Sequence, residues 1–174
     1  MSLFPDWEQF AISQRRSQTG CIPTGYEMIL RAAAVEGVDF DTFQDDFDLD
    51  KNLKPGEQPK NDFNSVADAV RAKYHHVSFQ CKSFPAGKGD DKLRFIEGLI
   101  GSQQPVLVSI ALEPFGGNGW HIMPVVDATD DKLILLKVMK LDGTKEKCTL
   151  SKEEFVCIHN KYDGGKDVAY LDRQ

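Results

Sequence analysis

Four cysteines in 174 residues, Cys21, Cys81, Cys148 and Cys157, are too few and too irregularly spaced to staple a fold, and they suit a reducing compartment. No run of apolar residues approaches the roughly 18 to 20 needed to cross a bilayer. The opening Met1-Ser2-Leu3-Phe4-Pro5-Asp6-Trp7 has no basic stretch followed by an apolar one, so the expected address is the cytoplasm. Clustered positive charge is also missing: the densest pair is Arg15-Arg16 and the net charge is −6, which argues against nucleic acid as a partner. The metal signatures are absent as well. His75-His76 with Cys81, and Cys148 with Cys157 and His159, have neither Cys-x-x-Cys nor helical His-x-x-x-His spacing. Asp45, Asp46, Asp48 and Asp50 lack the ordered spacing and glycine of a calcium loop and read as a solvated face. Gly116-Gly117-Asn118-Gly119 lacks the ending and the following helix of a phosphate loop. No cofactor and no metal are expected.

What is present is enough apolar residue, 41%, in a chain long enough to bury a core, with one domain over residues 1–174 as the default. Ile22, Tyr26, Ile29, Leu30 and Ala33 recur at helical spacing, with Pro23 in the first turn and Gly37 as the stop, predicting a helix over 22–36. A short helix over 41–47 places Phe40, Phe43 and Phe47 on one side as core residues, and 48–62 reads as a long loop. Further helices are predicted from Phe63 to about Tyr74 and from Asp90 to Ile100, the latter presenting Leu93, Ile96 and Ile100, with a strand over 77–81 between them. Beyond Ile100 the period changes. Residues 105–112, 120–126 and 133–141 are apolar, β-rich runs, the last two forming a hairpin that turns at Asp130-Asp131. Ser151-Lys152-Glu153-Glu154 has the form of a capping box opening a short helix with Phe155, and 168–171 reads as an edge strand. Helices first and antiparallel strands last define an α+β layout.

Within that layout, Gln18-Thr19-Gly20-Cys21 is a short turn running into the first long helix, so Cys21 occupies a helix start. The partial positive charge there favours thiolate, and the unpaired N–H groups can cradle an oxyanion. His121, in Gly119-Trp120-His121-Ile122-Met123, opens a buried strand and is the candidate base for that nucleophile. Gln14 and Gln18 precede the cysteine as candidate oxyanion donors, Gln14 having more room to fold back. If the hairpin turns at Asp130-Asp131, facing positions sum to 261, which sets His121 opposite Lys140 and brings Asp142 within two positions as an orienting group. Asp127 lies six residues along the same strand, roughly 20 Å away.

Gln before Cys at a helix start, Trp-His opening a strand after a Gly-rich loop, and Asp142-Gly143 followed by Ser151-Lys152-Glu153-Glu154-Phe155 together resemble a papain-like cysteine peptidase. The nearest resemblance is to standalone relatives of the double-glycine leader peptidases that process bacteriocins, over about residues 14–155. It implies a papain-like α+β fold with the nucleophile helix packed on a C-terminal antiparallel sheet. It also implies Cys21 as nucleophile, His121 as base and later acid, Asp142 as orienter, Gln14 as oxyanion donor, and a peptide or protein substrate. Lys137 stands where such enzymes carry the acidic or amide member, which motivates an alternative from another class: a catalytically silent peptide-binding module of the same fold.

Overall fold

The computed structural model describes residues 7–16, 19–136, 146–162 and 167–172. Helices α1 (Trp7–Phe10), α2 (Cys21–Ala32), α3 (Phe43–Phe47) and α4 (Phe63–Lys73) come first. Strand β1 (Phe79–Ser83), helix α5 (Gly89–Gly101), strands β2 (Val106–Ala111), β3 (Trp120–Ala128), β4 (Lys132–Leu136) and β5 (Lys147–Ser151), helix α6 (Lys152–Lys161) and strand β6 (Asp167–Leu171) follow. The strands form a six-stranded sheet in the order β1-β6-β2-β3-β4-β5, and every described pairing is antiparallel. The α+β expectation therefore stands. Among the described residues no helix is long and apolar enough to cross a membrane.

The sheet is covered on both faces. Leu107, Ile122, Ala169 and Leu171 pack beneath α2 and α4, whereas Val106, Val108, Ile110, Met123 and Val125 face α5 and α6. That double cover explains why β2 is apolar at nearly every position instead of alternating. Helix α2 sits close to the sheet because Gly25 has no side chain: a Cβ there would lie 3.1 Å from both Leu107 methyl carbons and 3.2 Å from Ile122 Cγ2. Tyr26 fixes the same helix from the other side, stacked on Phe79 at 4.0 Å between centroids and donating its hydroxyl to the Phe63 carbonyl at 2.8 Å. Phe43 and Phe47 are buried in this layer, as the periodicity predicts.

Several local expectations need correction. Helix α2 ends at Ala32, short of Gly37, because the chain turns left-handed at Ala34 (φ 52°) while Val35 donates back to the Leu30 carbonyl. The buried side of α5 is Gly89, Lys92, Ile96 and Leu99, a rotation of the expected Leu93/Ile96/Ile100 stripe. Strand β1 runs two residues later than predicted. The C-terminal strand is not at an edge: β6 lies between β1 and β2, its Val168 and Ala169 fully buried. The turn at 129–131 and the Ser151/Glu154 capping box are both present.

Candidate active site

Cys21 is the first residue of α2, and Gly20 before it offers no side-chain cap. The loop before the helix is instead built from backbone and amide contacts. Gly20 N–H donates to the Arg16 carbonyl at 3.1 Å, and a Cβ on Gly20 would meet that same oxygen at 3.1 Å and Gln14 Cγ at 3.3 Å. Gln14, 8% exposed, therefore lies beside the residue preceding the thiol. One N–H of its carboxamide is used on the Arg16 carbonyl, and a carboxamide carries two. Gln18 and Asp142 lie outside the described residues, as does Lys137.

The thiol faces strand β3. Backbone N–H groups of Ile22, of Cys21 itself and of Ile122 lie around the sulfur and favour thiolate, yet burial outweighs them and Asp48 adds to it, so Cys21 titrates above an ordinary thiol. The helix start is present, but the net shift has the opposite sign to the one a helix start alone implies. Ile122 immediately follows His121 in β3, so the Cys21 thiol reaches the strand one residue from the predicted base. The orientation of the N–H fits the sequence. Backbone N–H groups two residues apart point to the same edge of a strand, and the next such position is Pro124, which has no N–H to offer a neighbouring strand. Among the described residues β4 pairs with β3 only from Val125 onward.

His121 is half-buried and faces Ile110 across the β2–β3 ladder. Burial depresses its basicity, so the imidazole is neutral near pH 7. No hydrogen bond joins Cys21 and His121. Alternation along β3 sends His121 to the face opposite Ile122, so the imidazole and the thiol start from opposite faces of the strand. Between Asp127/Ile134 and Val125/Leu135 the facing sum falls from 261 to 260 at a bulge, so the simple register behind Asp142 changes by one residue before it reaches His121.

A buried polar clamp flanks the nucleophile, and the sequence did not announce it. All four hydrogen-bonding positions of Gln44 are used: its amide donates to the Ser13 carbonyl at 3.0 Å and to Glu27 at 2.9 Å, and its oxygen accepts from Arg15 N–H and the Thr24 hydroxyl, each at 2.9 Å. Asp48 accepts from the Thr19 hydroxyl at 2.6 Å and from Asn61 at 2.8 Å, while Asn61 also donates to the Thr19 carbonyl at 2.7 Å. Asp50 accepts from the backbone N–H groups of Lys60 and Asn61 and fastens the long loop. Asp48 and Asp50 are thus buried, at 1% and 4% exposed, and the solvated-face reading holds only for Asp45 and Asp46, which pair with Arg15, Arg16 and Lys73. Glutamine, aspartate and asparagine at 44, 48 and 61 carry no periodic signal, so only tertiary contact reveals them. Replacing Asp48 by Asn keeps a hydrogen-bond acceptor for Thr19 but removes the negative charge acting on the thiol. Asp48→Asn is expected to speed iodoacetamide alkylation of Cys21 at pH 8 by about two- to fivefold, read by mass spectrometry of its peptide. A slower reaction would mean that the clamp's geometry outweighs its charge.

No family model and no curated protein matches the chain. Among solved structures the fold is similar to the crystal structure of a candidate C39-like peptidase from Bacillus anthracis, at 13% sequence identity and a TM-score of 0.60, over 94% of each chain. The architecture is that of the α+β papain-like class, with the helix bearing Cys21 packed on the antiparallel sheet.

Proposed function

We propose that the chain is a cysteine-dependent hydrolase of peptide or isopeptide bonds. The observation that carries this reading is the Cys21 thiol at the start of α2, meeting the backbone N–H of the residue that follows His121. The fold of the solved C39-like neighbour supports it. A thiol held neutral and an imidazole held neutral make a resting pair without charge separation, so the proton leaves sulfur only as the sulfur attacks. Sγ bonds to the scissile carbonyl carbon as the thiol proton passes to His121. The C–N bond then breaks as that proton moves to the departing amine, leaving a Cys21 thioester. Water adds to the thioester, His121 takes its proton and returns it to sulfur, and the carboxylic acid is released. The N–H groups at the helix start, with the second N–H of Gln14, are the donors for the oxyanion. Asp142 is the residue assigned to orient the imidazole.

A second reading, a silent peptide-binding module, is favoured by one specific observation: no hydrogen bond links the pair in the described structure. The two readings separate on hydrolysis of a peptide library that includes double-glycine leader sequences. Turnover that is abolished in Cys21→Ala supports the hydrolase. Turnover unchanged in that variant overturns it, and binding without turnover in the parent protein selects the module.

A further inference from the structure

Two large hydrophobic side chains stand exposed among the described residues, Phe115 at 48% in the turn between β2 and β3 and Trp120 at 59% as the first residue of β3. One exposed hydrophobe needs no account, but two so close in sequence beside a candidate nucleophile do. The loop is built to hold them out. Phe115 and Gly117 both donate to the Leu112 carbonyl, at 2.9 and 3.0 Å, Leu112 donates to Gly119 at 2.9 Å, and Gly116 and Gly119 take left-handed φ values of 77° and 74°. Gly117 passes so close to Leu112 that a Cβ would lie 3.0 Å from the leucine Cβ.

Trp120 also has a defined side. Alternation places it on the same face of β3 as Ile122, the face α2 covers, and two residues of strand span roughly 7 Å. Cys21 packs against the buried cluster that contains that Ile122, and the Ile122 N–H acts on its sulfur. An acyl group carried on the sulfur and extending along β3 away from the β3–β4 turn therefore meets the indole first. From Pro114 to Val126 the sequence contains no charged residue and His121 as its sole titratable one, so the segment itself is largely apolar and without fixed charge.

We infer that Trp120 at the start of β3, with Phe115 from the turn before it, forms the subsite that receives a large apolar side chain, aromatic or leucine-like, of the group acylated on Cys21. The inference rests on the hydrolase reading and names the substrate class for it. A flat, exposed indole face binds such a group through area burial and ring contact, and the exposed Phe115 ring adds apolar area in the preceding turn.

The test uses the full chain and two probes of equal warhead, N-methyl-chloroacetamide and N-(2-phenylethyl)-chloroacetamide, with alkylation followed separately at Cys21 and at exposed Cys157 by peptide mass spectrometry. The phenylethyl-to-methyl rate ratio is expected to be about tenfold higher at Cys21 than at Cys157. Trp120→Ser is expected to bring the Cys21 ratio down to that of Cys157, and Phe115→Ser to lower it by about half as much on a logarithmic scale. Equal ratios at the two cysteines of the parent protein, or a ratio that Trp120→Ser leaves unchanged, would overturn the subsite. Dissociation of a dimer by Trp120→Ser with no change in the ratio would also overturn it, by assigning the patch to a second copy of this chain. The underlying reading is judged independently in the same samples, since it fails if His121→Ala leaves the methyl-probe rate at Cys21 unchanged.

Discussion

His121→Ala is expected to slow Cys21-dependent ester and peptide hydrolysis by about a thousandfold at pH 7, within the range a positioned general base supplies. The size follows from the state of the thiol. Burial holds Cys21 above an ordinary thiol, so little thiolate exists at neutral pH, and on the proposed hydrolase reading the sulfur needs a base to take its proton during attack. The pH profile carries the sharper signature. His121 titrates below an ordinary imidazole, so the parent rate climbs on an acid limb centred below about 6.5 and is then flat toward pH 9. Without the imidazole, only pre-formed thiolate reacts, and the residual rate should rise nearly tenfold per pH unit through the same interval. Stopped assays with p-nitrophenyl acetate across pH 5 to 9.5 give both curves. Parallel curves for parent and variant would remove His121 from the mechanism.

That prediction differs from what the sequence suggests, and the difference is physical. A helix start is visible in Thr19-Gly20-Cys21-Ile22-Pro23, because proline in a first turn and small residues before it are local signals. The desolvation of the sulfur is not local. It depends on how tightly α2 lies on the sheet, which Gly25 sets, and on Asp48, which belongs to the end of another helix. Local sequence signals therefore place Cys21 at a helix start, where the structure has it, and misjudge the ionisation of its thiol.

The same division runs through the fold. Elements whose burial repeats with a clear period were readable: α2, α4, β2, the β3–β4 hairpin and the capped α6 all appear near their expected positions. Strand order was not. The stretch 168–171 looks like a short final strand, and only pairing with both β1 and β2 makes it interior. Strand β5, Lys147–Ser151, alternates too weakly to be seen, being exposed at Lys147 and Thr149 and buried only at Leu150. At the candidate site, the places of Cys21 at a helix start and His121 at a strand start were readable from residue type and neighbours. The Gln44, Asp48 and Asn61 clamp was not, because polar residues in irregular segments acquire meaning only from their partners, which here lie up to 42 positions away.

Lys92 is the strongest case of a residue that reads as solvent-facing and is not, and Lys92→Met is expected to stabilise the fold by about 2 kcal/mol at pH 6. Its side chain is 1% exposed between α5, α6 and β2, with Nζ 3.0 Å from the Ser109 carbonyl and 5.2 Å from the centre of the Phe155 ring. Burial lowers its pKa to about 7, against roughly 10.4 for an unfolded lysine. Between those values the unfolded chain binds the additional proton, so stability rises with pH across that window. The cost of burying the ammonium is complete below about pH 7 and vanishes as the pH passes 10. A shift of that size corresponds to several kcal/mol. Methionine removes the cost but leaves the Ser109 carbonyl without its donor, a loss of about 1 to 2 kcal/mol, which sets the smaller net gain. The gain should therefore shrink with rising pH and change sign near pH 10, where the parent amine is neutral and still hydrogen-bonded. Urea unfolding of parent and variant at pH 6, 8 and 10 measures this. A destabilisation of equal size at all three pH values would show that the cation is compensated in the fold. Because Ser109 pairs with Ile122 across the β2–β3 ladder, the lysine supports from behind the strand position that meets the Cys21 sulfur.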